Sequence, residues 1–156
     1  MTMKLPPFQA LLDEHRADVY RFLVATVGPS EADDCFQETW ISALRAYPTL
    51  RRGDNLRAWL FRIAQNKSID AHRARGRRAI PVAAVPERAT PSLPEGDPEL
   101  WARLRDLPTK QRTAVFCRSV LGMPYDELAL LLESSEEAAR RNVHEGLKRL
   151  KEELTV

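Results

Sequence analysis

Apolar residues recur along most of this chain at intervals of three and four positions, which is the spacing of amphipathic helices. The first stripe consists of Phe8, Leu12, Val19, Phe22 and Leu23. A second stripe lies between positions 36 and 47, and it includes Leu44, which is therefore predicted to face the core. A third stripe lies between positions 56 and 69. We find no alternation of apolar and polar residues that would indicate a strand. The pattern therefore predicts three N-terminal helices and an all-α fold.

The helical pattern is interrupted after the third stripe. Four prolines lie between positions 76 and 97, and Pro98 follows directly. A segment of this composition is typical of an extended linker. Helical stripes return beyond it, and Ser134 with Glu137 three residues later predicts the start of the last helix. We therefore predict two small helical bundles, residues 1–75 and 98–156, joined by a proline-rich linker of residues 76–97.

Composition excludes several classes of protein. Among 156 residues, 44% are hydrophobic and 29% are charged, as in an ordinary soluble domain. No apolar run approaches the roughly 20 residues of a membrane helix, and the N-terminus becomes acidic before a signal-peptide core could form. Cys35 and Cys117 lie far apart, and the three histidines lack metal-ligand spacing. We expect a cytoplasmic protein with no membrane insertion, no metal site and no cofactor.

Charge is distributed unevenly along the first bundle. The net charge is only +2, but positions 57–78 contain seven basic residues and one acidic residue. Positions 31–38 contain four acidic residues and no basic one. Because phosphates attract the first segment and repel the second, the contrast predicts a nucleic-acid partner and a separate protein partner.

The C-terminal bundle has the proportions of a helix-turn-helix motif. A short helix over 125–132 precedes a longer basic helix, and in such motifs the second helix enters the major groove. The basic and imidazole side chains that avoid its apolar stripe are Arg140, Arg141, His144 and Lys148. We predict that they contact DNA. The alternative is an amphipathic helix whose polar side faces only solvent.

The third helix combines cationic, aromatic and amide side chains. Arginines bind the nucleic-acid backbone, whereas Trp59 and Phe61 offer rings on which unpaired bases can stack. Asn66 supplies an amide for hydrogen bonding to a base. This combination suits single-stranded DNA, and the alternative is that both aromatic residues belong to the core.

Three segments resemble those of bacterial sigma factors. DDCFQETWISALRAYPTL (33–50) is similar to the segment that grips the polymerase clamp helices, and NLRAWLFRIAQNKSIDAHRARGRR (55–78) is similar to the promoter-melting and minus-ten segment. LPTKQRTAVFCRSVLGMPYDELALLL (107–132) resembles the minus-thirty-five domain. Two domains joined by a proline-rich connector are the layout of the extracytoplasmic-function group, which the chain resembles over nearly its whole length.

The resemblance implies a dissociable initiation factor without catalysis. Its expected partners are core RNA polymerase, promoter DNA and an anti-sigma factor that holds it inactive, and the free chain is expected to be compact and autoinhibited or inhibitor-bound. Core polymerase is expected to contact Asp34, Gln37, Glu38 and Ile41. Minus-ten DNA is expected to contact Arg57, Trp59, Phe61, Arg62, Asn66, Asp70, Arg73 and Arg75. Minus-thirty-five DNA is expected to contact Arg140, Arg141, His144 and Lys148.

The last helix departs from the family pattern. Where the family usually has Gly-Thr-Val, this chain has Glu137, Ala138 and Ala139. Gly146 lies in mid-helix, where glycine costs about 1 kcal/mol relative to alanine. Both features predict an altered minus-thirty-five contact.

Two other functions compete with this interpretation. The first is a stand-alone helix-turn-helix regulator whose N-terminal bundle only mediates interactions. The second is an enzyme such as a nuclease, but the sequence offers neither a carboxylate cluster nor a nucleophile–base pair.

Overall fold

A computed structural model describes residues 6–50, 55–77 and 97–154 of the chain, and every regular element within these ranges is helical. The N-terminal bundle consists of α1 (Phe8–Val27), α2 (Pro29–Ala46) and α3 (Leu56–Arg77), with a short 3-10 turn, Tyr47–Thr49, after α2. The C-terminal bundle consists of α4 (Pro98–Asp106), α5 (Thr109–Ser119), α6 (Tyr125–Leu132) and α7 (Glu136–Leu154). The prediction of an all-α fold is confirmed.

Two predicted helix boundaries change. The last helix was expected to begin after Ser134, but the hydroxyl of Ser135 accepts a hydrogen bond from the Ala138 amide at 3.1 Å, so the N-cap lies one residue later. Helix α3 continues to Arg77, beyond the predicted domain end. Helix α4 begins where the side chain of Asp97 accepts from the Glu99 amide at 3.0 Å. Most of the predicted linker, 78–96, lies outside the described residues.

The N-terminal bundle buries one face of each of its three helices. Val19, Leu60 and Phe61 are completely buried between them. The buried hydroxyls of Thr26 and Thr39 donate to carbonyl oxygens one turn earlier in their own helices, at 2.8 and 2.7 Å. Because each hydroxyl keeps a partner, these polar groups carry little desolvation penalty in the core.

In the C-terminal bundle, a buried arginine holds the turn between α4 and α5. The Arg112 guanidinium donates to the carbonyl oxygens of Arg105 and Leu107 at 2.8 and 3.3 Å. These acceptors lie at the C-terminal end of α4, where helical carbonyls lack partners within the helix. Burial lowers the pKa of Arg112, although the guanidinium keeps three acceptors, the third being the Thr109 hydroxyl at 3.2 Å.

The two bundles share one continuous core. The Phe22 ring of α1 contacts Phe61 in its own bundle with 5.5 Å between ring centroids. The same ring contacts Phe116 of α5 at 5.7 Å, and Phe116 in turn contacts Trp101 at 6.1 Å. Phe22 therefore joins the bundles through edge-to-face aromatic contacts. Within the described ranges, the helices are all too short or too polar to cross a membrane.

Candidate protein and nucleic-acid interfaces

Helix α2 exposes the acidic face that the sequence predicted. Asp34, Gln37, Glu38 and Ile41 all reach solvent at helical spacing, and Ile41 is 49% exposed. The prediction that Leu44 belongs to the core is wrong, because its side chain is 57% exposed one turn beyond Ile41. Its i+3 spacing from Ile41 could have indicated this. We call Asp34, Gln37, Glu38, Ile41 and Leu44 the α2 face. This face places two apolar side chains beside two carboxylates.

A contact with α1 holds the start of this helix. The Tyr20 hydroxyl donates to Asp33 at 2.7 Å, and its ring lies edge-on to Phe36 with 5.3 Å between centroids. Burial and then the hydrogen bond to Asp33 raise the pKa of Tyr20 to about 12. These contacts hold α2, and with it the α2 face, in a defined position against α1.

Helix α3 exposes a polar face in its second half. Asn66, Asp70 and Arg73 are exposed at positions i, i+4 and i+7, so the structure brings these three predicted residues together. His72 anchors the helix from its other side, where Nε2 donates to the Thr26 carbonyl oxygen at 2.7 Å. The side chain of Arg75 lies outside the described residues.

The two aromatic residues of α3 do not form a stacking platform together. Phe61 is completely buried beneath Phe22, so the expectation that it contacts minus-ten DNA is wrong for this structure. The helical spacing of apolar residues does not show which of the two rings is buried, because that depends on the neighbouring helices. Trp59 is half-buried and lies 6.3 Å from the Tyr47 ring, which leaves part of its surface available.

The first half of α3 contacts the C-terminal bundle. The Arg57 Nε donates to both carboxylate oxygens of Glu127 at 3.0 and 2.9 Å, and Nη2 adds a further bond to the same carboxylate. This hydrogen bonding raises the pKa of Arg57. Arg62 donates to the Leu130 carbonyl oxygen and pairs with Glu133 at 3.4 Å. Arg57 and Arg62, which were predicted to contact DNA, are thus bound by residues of α6 and of the turn that follows it.

An open cleft of about 200 Å³ lies beside this contact. It is lined by Arg62, Gln65 and Asn66 from α3 and by Lys110 and Glu133 from the C-terminal bundle. Asn66 therefore lies at the edge of the junction between the bundles.

Helices α6 and α7 form the predicted helix-turn-helix arrangement. Glu133, in the turn between them, has left-handed backbone angles of φ 54° and ψ 47°. The predicted reading residues of α7 are all exposed and lie on one side of the helix: Arg140, Arg141, His144 and Lys148. The geometry suits insertion of α7 into a groove.

One tyrosine of this motif contacts two arginines, Arg140 of α7 and Arg118 of α5. The guanidinium carbon of Arg140 lies 4.6 Å from the centroid of the Tyr125 ring, and that of Arg118 lies 4.2 Å from it. Such cation–π contacts favour one position of a long side chain. Tyr125 was predicted only as a helix residue, and a single sequence carries no signal for this non-local contact.

Comparison with known proteins agrees with both halves of this architecture. Residues 11–78 match the family model of Sigma-70 region 2, and residues 98–150 match Sigma-70, region 4. The ECF RNA polymerase sigma factor SigD of Mycobacterium tuberculosis is 36% identical over 159 residues, covering 92% of this chain and 75% of the relative. RNA polymerase sigma factor CarQ of Myxococcus xanthus is 31% identical over 155 residues, covering 93% and 87%.

A solved structure has the same fold. The sigma factor RpoE, in a complex with the anti-sigma factor NepR from Bartonella quintana, superimposes with a TM-score of 0.76 at 23% identity, covering 96% of this chain and 97% of that chain. Matches to region 2 and region 4 in one chain do not favour a stand-alone helix-turn-helix regulator. The chain belongs to the extracytoplasmic-function sigma factors, dissociable initiation factors that bind core RNA polymerase and direct it to promoters.

Proposed function

We propose that this chain docks on core RNA polymerase through the α2 face. The observation that carries the proposal is the exposed pair Ile41 and Leu44 beside Asp34, Gln37 and Glu38. Exposed apolar side chains one helical turn apart suit a protein partner, and neighbouring carboxylates repel nucleic acid. Burial of Ile41 and Leu44 would supply affinity, whereas the polar groups would fix orientation.

We infer that the exposed side of α3 binds the minus-ten element. Asn66 is the candidate base reader, because an amide can donate to and accept from one base edge. Arg73 and Arg75 would bind the backbone, and Asp70 would orient them. Arg57 and Arg62 would extend this surface when they are not bound to Glu127, Leu130 and Glu133, and Trp59 would add the exposed part of its ring. Phe61 is left out because it is buried.

The exposed side of α7 is our candidate for minus-thirty-five recognition. Its four members are three cations and one imidazole: Arg140, Arg141, Lys148 and His144. Arginine can bind guanine O6 and N7 with two hydrogen bonds, and lysine can bind phosphate. The exposed Glu136 and Glu137 at the start of the helix disfavour close phosphate contacts there, which weakens binding relative to a fully basic helix.

An anti-sigma factor is the proposed regulatory partner. Support comes from the related fold of RpoE, which was solved with the anti-sigma factor NepR. We further propose that the protein acts in the cytoplasm and that its function includes no catalytic step.

The docking face is tested by reversing its charge. We expect Asp34→Arg with Glu38→Arg to abolish co-elution with core polymerase, because two repulsive charges would lie against the partner's surface. The matched control is Asp13→Arg with Glu14→Arg, an exposed acidic pair on α1 of the same bundle. Both variants should keep wild-type helicity by circular dichroism. Equal co-elution of both variants would contradict the assignment of the α2 face.

A further inference from the structure

One carboxylate, that of Glu137, lies within the exposed basic side of α7. Arg141, His144 and Lys148 follow Glu137 at i+4, i+7 and i+11, so one stripe of the helix carries all four side chains, and all four are exposed. Ala139, on the opposite side of the helix, is completely buried. In a helix-turn-helix motif the N-terminal residues of the second helix contact base edges. Glu137, in the first turn of α7, is therefore the member of the stripe best placed to meet a base.

The Glu137 carboxylate is not used in capping the helix. A capping box requires the acidic residue at the third helical position, three residues after the N-cap. The N-cap here is Ser135, whose hydroxyl accepts from the Ala138 amide at 3.1 Å, and Glu137 is consequently the second helical residue. Within the ranges that the structure describes, the carboxylate has no hydrogen bond and no ion pair, not even with Arg141 one turn later. It is free to accept from a ligand.

The charge of Glu137 restricts which base can lie opposite it. Phosphates repel a carboxylate, so this residue lowers the affinity of α7 for DNA of any sequence. Base edges in the major groove differ: cytosine presents the N4 amino group as a donor, whereas guanine presents the acceptors N7 and O6, and thymine presents the acceptor O4. Adenine presents a donor beside an acceptor. Because an ionised carboxylate only accepts hydrogen bonds, cytosine is the base that it binds best.

Arg141 has the complementary chemistry one turn further along the stripe. Arg140 lies over the Tyr125 ring, whereas Arg141 has no ring contact, hydrogen bond or ion pair with the described part of the chain. A free guanidinium can donate two hydrogen bonds to guanine O6 and N7. Residues four apart are separated by about 6 Å along a helix, and base pairs are separated by about 3.4 Å. Glu137 and Arg141 can therefore reach bases within two base pairs of each other.

We propose that Glu137 is a specificity-determining residue that selects cytosine at one position of the minus-thirty-five element, and that Arg141 selects a guanine within two base pairs of it. This inference rests on the proposed minus-thirty-five role of α7. The carboxylate accepts a hydrogen bond from cytosine N4 and disfavours guanine and thymine, because their acceptor atoms would face its own oxygens. Lys148 binds the backbone. Glu137 thus lowers affinity for most sequences and raises discrimination between them.

The test is run-off transcription by the holoenzyme on promoters randomised in the minus-thirty-five element. We expect Glu137→Ala to reduce the preference for cytosine at one position at least about fivefold, without weakening transcription from the other sequences. Glu137→Gln should shift the preference at that position toward adenine, because glutamine binds adenine N6 and N7. The matched control is Glu136→Gln, which removes the same charge from an exposed neighbour in the same turn but off the stripe, and which should leave the preference unchanged.

A base analogue identifies the atom that is read. Replacing the preferred cytosine with uracil, paired with adenine, exchanges the N4 amino group for O4 without adding the methyl group of thymine. We expect the wild-type chain to disfavour uracil and thymine equally, and Glu137→Ala to disfavour neither. Discrimination against thymine alone would overturn the proposal, because it would assign the preference to the methyl group.

The outcomes separate this proposal from the minus-thirty-five role of α7. If both Glu137 variants keep the wild-type preference at every position, while Arg141→Ala and Lys148→Ala weaken transcription, the carboxylate has no reading role and the role of α7 stands. If Arg141→Ala and Lys148→Ala also leave transcription unchanged, the role of α7 itself fails. An equal loss of preference in Glu136→Gln would overturn the proposal by assigning the effect to net charge.

Discussion

Gly146 of α7 lies against Val115 of α5 so closely that a β-carbon at position 146 would be 2.5 Å from Val115 Cγ2. The same β-carbon would be 3.3 Å from the Gln111 carbonyl oxygen. From the sequence alone, this glycine is expected only to lower the stability of the helix relative to alanine. The structure gives it a packing role, because only a residue without a side chain allows the two helices to approach this far.

We predict that Gly146→Ala lowers the free energy of unfolding by about 1–3 kcal/mol. The overpacking against Val115 exceeds the gain of roughly 1 kcal/mol from the better helix propensity of alanine. Denaturant titration followed by circular dichroism measures the change. In a Val115→Ala background, where Cγ2 is absent, Gly146→Ala should cost less. A stabilised single variant would contradict the packing role.

The two thiols should be unreactive in the folded chain. Burial, and then the carboxylate of Glu31, raise the pKa of Cys35 from 9.0 to about 11, and burial raises that of Cys117 as well. Because the thiolate is the nucleophile, a disulfide-exchange reagent at about pH 8 should modify both thiols only after denaturant is added. Fast modification of the native chain would contradict this.

The raised pKa of Cys35 also sets a direction for stability. The unfolded chain loses this thiol proton near pH 9, whereas the folded chain retains it until about pH 11. Stability contributed by the buried neutral thiol is therefore complete below about pH 9 and is lost as pH rises toward 11. A Cys35→Ala variant should show a shallower loss of melting temperature across this window than the wild type. An identical slope would assign the loss to other groups.

Tyr125 should act on minus-thirty-five binding by positioning Arg140. Tyr125→Leu removes the ring and should weaken binding to a minus-thirty-five duplex about two- to fivefold, the size of an exposed cation–π contact. Tyr125→Phe keeps the ring and should restore wild-type affinity. Core polymerase binding should not change in either variant. Equal losses in the leucine and phenylalanine variants would contradict a role through the ring.

Asn66→Ala should relax promoter preference at one minus-ten base. The lost amide contact corresponds to about 1–3 kcal/mol of discrimination between bases. Run-off transcription on a library of minus-ten sequences measures the preference, and permanganate reactivity measures melting. Gln9→Ala, which removes an exposed amide from α1, is the control. If Asn66→Ala leaves preference equally sharp at every position, the amide has no reading role.

The sequence could predict which segments form helices, and it could predict the exposed sides of α2 and α7. Those features depend on local periodicity and on prolines and glycines between the stripes. It could not assign Phe61 correctly, because the apolar stripe of a helix does not reveal where its neighbours end. For Leu44 the spacing from Ile41 was a local signal of exposure, but its place in the apolar stripe favoured the core. The pairing of Arg57 with Glu127 spans seventy positions and leaves no local signal.

The shared aromatic core has a thermal consequence. Separating the bundles would hydrate the apolar surface around Phe22 and Phe116, and hydrated apolar surface raises heat capacity. Opening should therefore add a positive heat-capacity change to polymerase association and offset part of the negative change from docking. Apolar association also weakens on cooling. The fraction of free chain in which Arg57 and Arg62 are released from the C-terminal bundle should thus rise as temperature falls, so that the closed contact is itself sensitive to temperature.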